Sequence, residues 1–240
     1  DPADALLLWQ TMAGAWPLEQ PRCQAYMEKA AREAGLHTTW TDPDPAYERA
    51  LTALVARAYA DGPFLGELQA LAAEIAPAGR VKATALALLR LTSPGLPDTY
   101  QGTETEQLVL VDPDNRRPVR FAADDSLKFK LTRTVLRLRR DRPELFTGYR
   151  PLDAPDHLVA FTRGGDRLGV VATRFGAPGR PPDTADRPPA SPGRPLADPG
   201  RPIDLPAGPW RDLLSGVEHP GGPTPADRLL AVLPHALLVR

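Results

Sequence analysis

The segment Ser93 to Glu104, SPGLPDTYQGTE, gathers within a few residues the side chains that bind a polyhydroxylated ligand. Tyr100 offers an aromatic face, and Gln101 and Glu104 offer donors and acceptors suited to sugar hydroxyls. Gly102 lets a ligand approach the backbone where a side chain would block it. A second polar cluster, VDPDNRRPV, follows at Val111 to Val119. Its Asp112, Asp114 and Asn115 favour Asx-turns, and Arg116 and Arg117 can make bidentate bonds to carboxylates. Each cluster also has a purely structural reading. Tyr100 can be packing, Glu104 a loop-bracing acid, and the second loop a self-braced turn whose arginines pin neighbouring acids.

Other chemistries find little support. Cys23 is the only cysteine, so neither an internal disulfide nor a Cys-based metal site is available, which fits a reducing, cytoplasmic compartment. His37, His157, His219 and His235 show no ligand spacing, so a metal reading finds no support. Lys and Arg total 29 against 30 Asp and Glu, which gives no reason to expect nucleic acid or an anionic membrane as partner. No apolar run approaches the roughly 18 residues of a membrane span. With 240 residues, 42% of them hydrophobic, the chain can bury a real core.

The elements that must position the two clusters fall into three regimes. From Asp4 to about Arg90 the period is helical: Tyr47, Leu51, Leu54, Val55, Ala58 and Tyr59 share one face, and Phe64, Leu65, Leu68, Leu71, Ala72 and Ile75 repeat the pattern. Gly35, Asp61-Gly62-Pro63 and Pro77-Ala78-Gly79 read as helix breaks. Pro97 to Gln101 has the length of a strand, and a basic helix runs from about Ser126 to Asp141. Its Leu127, Leu131, Val135 and Leu138 form the apolar stripe, leaving a solvated cationic face. Beyond Arg142 the pattern is β: Leu158 to Arg163 and Leu168 to Arg174 flank the hairpin turn Gly164-Gly165-Asp166, and Trp210 to Leu214, Leu229 to Leu233 and Ala236 to Val239 are further strands. Ala177 to Pro202, crowded with Pro, Gly, Arg and Asp, reads as a mobile loop. Trp40, after the helix end at Gly35, is expected to be an aromatic plug in the core rather than a stacking surface for a sugar.

SPGLPDTYQGTE, then LVLVDPDNRRPV (Leu108 to Val119), then the helix LKFKLTRTVLRLRRDRPEL (Leu127 to Leu145) resemble the final strand, loop and helix of the α-amylase superfamily barrel. Within that superfamily the wording resembles malto-oligosyltrehalose synthases. QTMAGAWP (Gln10 to Pro17) and YMEKAAREAGLHTTWTDPDPAYERAL (Tyr26 to Leu51) resemble their helical insertion, and LPAGPWRDLLSG (Leu205 to Gly216) their C-terminal β domain.

The resemblance implies an α/β plus all-β architecture: the end of a (β/α)8 barrel with a helical insertion, then a small antiparallel β domain. Residues 1–92 are the insertion and a late barrel helix, 93–145 the last strand, loop and helix, and 146–240 the β domain with its Pro-rich loop 177–202. It further implies a malto-oligosaccharide substrate, conversion of the reducing-end α-1,4 link into an α,α-1,1 link, and a separate hydrolase that releases trehalose. It implies neither a metal nor an organic cofactor. The family's three catalytic carboxylates lie on earlier barrel strands, so none is carried onto this sequence, which reads as part of a longer polypeptide whose N-terminal barrel completes the site. Tyr100, Gln101, Glu104, Asp114, Asn115 and Arg116 are then expected to line the substrate cleft, and replacing Glu104 or Asp114 to affect sugar handling more than folding. The chain departs from the family at Gly35, at Thr105-Glu106-Gln107 and at Arg120, where Lys, an apolar-Trp-Asp run and Asp are usual. Two other classes fit the same residues: another hydrolase or transglucosylase of the superfamily, and a non-catalytic carbohydrate-binding protein.

Overall fold

In the computed structural model, residues 1–119, 121, 125–174 and 201–240 are described. They form two compact units, one of Asp1–Ala76 with Gln107–Arg120 and the other of Pro77–Glu106 with Phe121–Arg240.

The first unit is helical: α1 (Pro2–Gly14), α2 (Gln20–Ala34), α3 (Pro45–Ala60) and the first part of α4 (Gly62–Thr92). Local chemistry sets the ends. Asp1 accepts the Ala3 N–H at 2.7 Å, and Asp44 accepts those of Ala46 and Tyr47 at 2.8 and 3.1 Å. Each Asp stands directly before a proline, whose missing N–H costs nothing in a first turn. Gly35 closes α2 in the left-handed region at φ 65°, donating its N–H to the Ala31 carbonyl. Leu8, Met12, Cys23, Met27, Leu51, Val55 and Leu68 fill the core. Arg32 on α2 bonds Glu48 on α3 at 2.7 and 2.8 Å, and Thr38 adds a third bond to that carboxylate, holding its pKa down to about 2. Leu71 and Ile75, expected on a buried face, are open to solvent.

The expected break at Pro77 does not occur. Helix α4 runs through it for 31 residues. Proline forfeits one backbone bond, but Ala- and Leu-rich flanks favour helix on both sides, and Ala85, Leu88 and Leu91 are packed into a core.

The second unit is a six-stranded antiparallel sheet in the order β1-β2-β3-β8-β5-β6, formed by β1 (Arg150–Pro151), β2 (Leu158–Arg163), β3 (Leu168–Thr173), β5 (Trp210–Asp212), β6 (Glu218–His219) and β8 (His235–Val239). A two-stranded sheet pairs β4 (Pro202–Leu205) with β7 (Gly222–Pro225), and the short α6 (Ala226–Leu229) follows β7. Alternation splits the sheet into two faces. Phe161, Leu168, Val170, Ala172 and Leu237 pack against α4 and α5 (Leu127–Asp141), where Leu131 and Val135 are buried. Leu158, Ala160, Val171, Ala236 and Leu238 pack against Ile203, Leu205, Ala226 and Leu229 on the other side. With both faces covered, every residue of β3 is buried.

The β2–β3 turn is the expected one: Gly164, Gly165 and Asp166 take φ of 61°, 63° and 63°. Other expectations are overturned. Pro97 to Gln101 forms no strand among the described residues, where no other strand pairs with it. Leu229 to Leu233 is the end of α6 and a turn: Leu229 and Leu230 pack with the helix, while Val232 is exposed. The expected loop Ala177 to Pro202 lies almost wholly outside the described residues; its last residue, Pro202, opens β4. No helix among the described residues is long and apolar enough to cross a membrane.

Candidate functional site

Tyr100, Gln101 and Glu104 belong to the second unit and share a double turn. The Thr103 N–H and hydroxyl both donate to the Tyr100 carbonyl, at 3.1 and 2.6 Å, and the Thr105 N–H and hydroxyl both donate to the Gly102 carbonyl, at 3.3 and 3.2 Å. Gly102, at φ 82°, supplies the left-handed residue this path requires. Tyr100 is 45% exposed, Gln101 is exposed and Glu104 half-buried, so all three can meet a ligand.

Cations hold this segment by its carbonyls. Arg163 on β2 donates to Thr92 and Ser93, each at 2.8 Å, and also to Gly148 and Phe146. Arg139 on α5 donates to Leu91 at 3.0 Å and Gly95 at 2.9 Å. Arg90 reaches the Asp98 carbonyl and the Thr99 hydroxyl, and Lys128 the Thr105 carbonyl at 2.9 Å. Burial lowers the pKa of the Lys128 ammonium, as does nearby Arg90, while Glu106 and Glu104 raise it. The cationic face expected of α5 is therefore not all solvated: Lys128 and Arg139 turn inward.

Asp114, Asn115 and Arg116 belong to the first unit, where they form a single 3-10 turn. The Asp114 carboxylate accepts Arg22 from both sides, at 2.8 and 2.9 Å, and the Leu110 N–H at 2.8 Å. Arg22 foremost, then the Leu110 amide and Arg117, hold this carboxyl below its ordinary range against the opposing effect of burial. Arg22 also donates to the Leu108 carbonyl, and Lys29 bonds Asp112 through both its carbonyl and its carboxylate. Arg116 pairs with Asp112 at 2.8 Å and remains 63% exposed. The Asn115 Oδ1 is buried with no hydrogen-bond partner among the described residues.

Two features escaped the sequence reading. Arg22 and Lys29, seven residues apart and so on one face of α2, clamp the loop; their spacing was the available signal. Trp40 is no core plug. It is 58% exposed, with the Arg32 guanidinium 4.9 Å above its ring. Among the described residues no cluster of His, Cys, Asp and Glu could hold a metal ion. Arg120 lies outside them.

No family model matches the chain. Two strains of Mycobacterium tuberculosis carry proteins provisionally named maltooligosyl trehalose synthase that are 38% identical over the whole chain, which spans 32% of their length. The structure of maltooligosyltrehalose synthase from Arthrobacter ramosus superposes on 97% of the chain with a TM-score of 0.79 and 39% identity, using 32% of its own length. A hypothetical maltooligosyl trehalose synthase from Sulfolobus tokodaii matches 99% of the chain at 26% identity and a TM-score of 0.74. Sequence and fold together make this chain a homologue of a C-terminal portion, about a third in length, of the maltooligosyltrehalose synthases.

Proposed function

We propose that the chain is the C-terminal part of an intramolecular transglucosylase that turns the reducing-end α-1,4 link of a malto-oligosaccharide into an α,α-1,1 link, acting in the cytoplasm ahead of a trehalose-releasing hydrolase. The observation that carries this reading is the end-to-end match to maltooligosyltrehalose synthases, at 38% identity in sequence and a TM-score of 0.79 in structure. Residues 1–92 supply the helical insertion and a late barrel helix, 93–145 the end of a (β/α)8 barrel, and 146–240 the β domain.

Such a reaction is a double displacement. A carboxylate nucleophile and an acid roughly 5 Å apart break the link, and the freed glucose turns over and attacks in place of water. In this reading both carboxylates come from polypeptide outside this chain, which by itself is inactive. Tyr100, Gln101 and Glu104 meet the sugar, and Asp114 shapes the loop that presents Asn115 and Arg116. The exposure of Leu86, Leu96 and Phe121, at 67%, 98% and 74%, supports a further segment covering apolar surface of the second unit.

The test is to incubate the longer polypeptide with malto-oligosaccharide and treat the product with a trehalose-releasing hydrolase. Free trehalose is expected. Glucose and shorter malto-oligosaccharides alone would point instead to a hydrolase of the same superfamily.

A further inference from the structure

Four cations of the second unit, Arg90, Lys128, Arg139 and Arg163, bond to main-chain carbonyls of residues 91–105 rather than to carboxylates. Three of them have a local explanation. Arg139 and Arg163 take up carbonyls where α4 ends, at Leu91, Thr92 and Ser93. A helix leaves its last carbonyls unpaired there and carries partial negative charge, which favours a cation. Arg90, in the last turn of α4, sits at that same negative end.

Lys128 has no such explanation. It lies in the first turn of α5, the positive end, where a cation is disfavoured. Ser126 already caps that end by accepting the Phe129 N–H at 3.2 Å. The residue is also half-buried. Against these costs stands its bond to the Thr105 carbonyl, the last residue of the double turn that carries Tyr100, Gln101 and Glu104.

We infer that Lys128 is a positioning residue: it anchors the double turn at Thr105, while Arg90 and Arg139 fix the preceding stretch at Asp98 and Gly95, so that Tyr100, Gln101 and Glu104 are presented to sugar in one geometry. The inference rests on the proposed sugar site, and concerns order in the loop rather than contact with substrate. Removing the anchor lets the turn's own bonds open more often and Glu104 wander, which weakens binding first.

The experiment compares Lys128→Met and Lys128→Arg in the longer polypeptide. In Lys128→Met the amides of Thr103 and Thr105 are expected to exchange hydrogen about tenfold faster, with α5 and the sheet unchanged. The KM for malto-oligosaccharide rises about tenfold with kcat little altered, and Lys128→Arg recovers both readings to within about threefold. If Lys128→Met does not fold, Lys128→Ala, which likewise offers no donor, is read in the same way. Unchanged exchange at Thr103 and Thr105, or acceleration spread evenly over α5 and the sheet, overturns the inference. The exchange measurement decides it even if the parent protein forms no trehalosyl product, a result that would sink the proposed function alone.

Discussion

Arg22 and Asp114, 92 residues apart in sequence, meet in a two-armed ion pair at 2.8 and 2.9 Å, with their side chains only 15% and 11% exposed. The carboxylate also accepts the Leu110 N–H, so the pair fixes the start of the loop to α2. Asp114 is thus occupied by the protein itself. Asp114→Asn is expected to destabilise by about 1.5–3 kcal/mol, and Arg22→Met by a similar amount, with the double variant little worse than either. Because the folded-state pKa is lowered, this contribution is present above the ordinary Asp range and is lost progressively as pH falls from that range through the lower folded-state value. Urea unfolding of the four proteins checks the prediction, and additive losses would contradict it.

His235 gives a second pH dependence. Its Nδ1 accepts the Thr173 N–H at 3.2 Å, so Nε2 carries the proton and donates to the Val81 carbonyl at 3.0 Å, with the Thr84 hydroxyl at 2.8 Å. Burial lowers its pKa from 6.5 to about 4. The unfolded chain therefore takes up a proton first, and stability falls as pH drops through that window, by about 3 kcal/mol in full. Unfolding free energies at pH 7.5 and 5 should differ by about 2 kcal/mol from this group, and His235→Gln should remove most of the slope. An unchanged slope in the variant refutes it.

Where a residue's neighbours in sequence decide its structure, the sequence was legible. Ser126 before an apolar stripe gave α5, and Gly164-Gly165-Asp166 between two apolar runs gave the β2–β3 hairpin. Strands β4 and β7 were missed because Pro202, Pro223 and Pro225 make them look like loop, although Ile203 and Leu205 are buried. Leu229 to Leu233 misled for the opposite reason, being apolar and short without pairing. The acids and amides of the candidate site were visible as residue types. Their partners were not: Arg22 for Asp114, and Lys128 for the Tyr100 turn, lie far off in sequence and are joined only by the fold.

Gly164 and Gly165 separate steric from torsional cost. A Cβ on Gly164 would lie 2.7 Å from the Leu145 Cα and 2.9 Å from its carbonyl oxygen, whereas one on Gly165 meets open space. Both residues have positive φ. Gly165→Ala should cost about 1 kcal/mol in backbone strain, and Gly164→Ala at least about twice that, read as loss of melting temperature. Equal losses would show that the β2–β3 turn is not seated against Leu145 as described.

Glu104 is expected to part company with Asp114. It is half-buried on a turn whose geometry is set by other residues, so Glu104→Gln in the longer polypeptide should leave the melting temperature within about 1 °C. A lost hydrogen bond between a charged group and substrate costs about 1.5–3 kcal/mol, so kcat/KM should fall roughly ten- to hundredfold. Early melting with normal kinetics would make Glu104 a brace.

The most direct measurement counts reducing ends and free glucose together as the longer polypeptide acts on a malto-oligosaccharide of defined length. Intramolecular transfer predicts that reducing ends disappear while chain length is kept and glucose stays near background. Reducing ends that rise in step with released glucose would contradict the proposed reaction and assign the chain to a hydrolase instead.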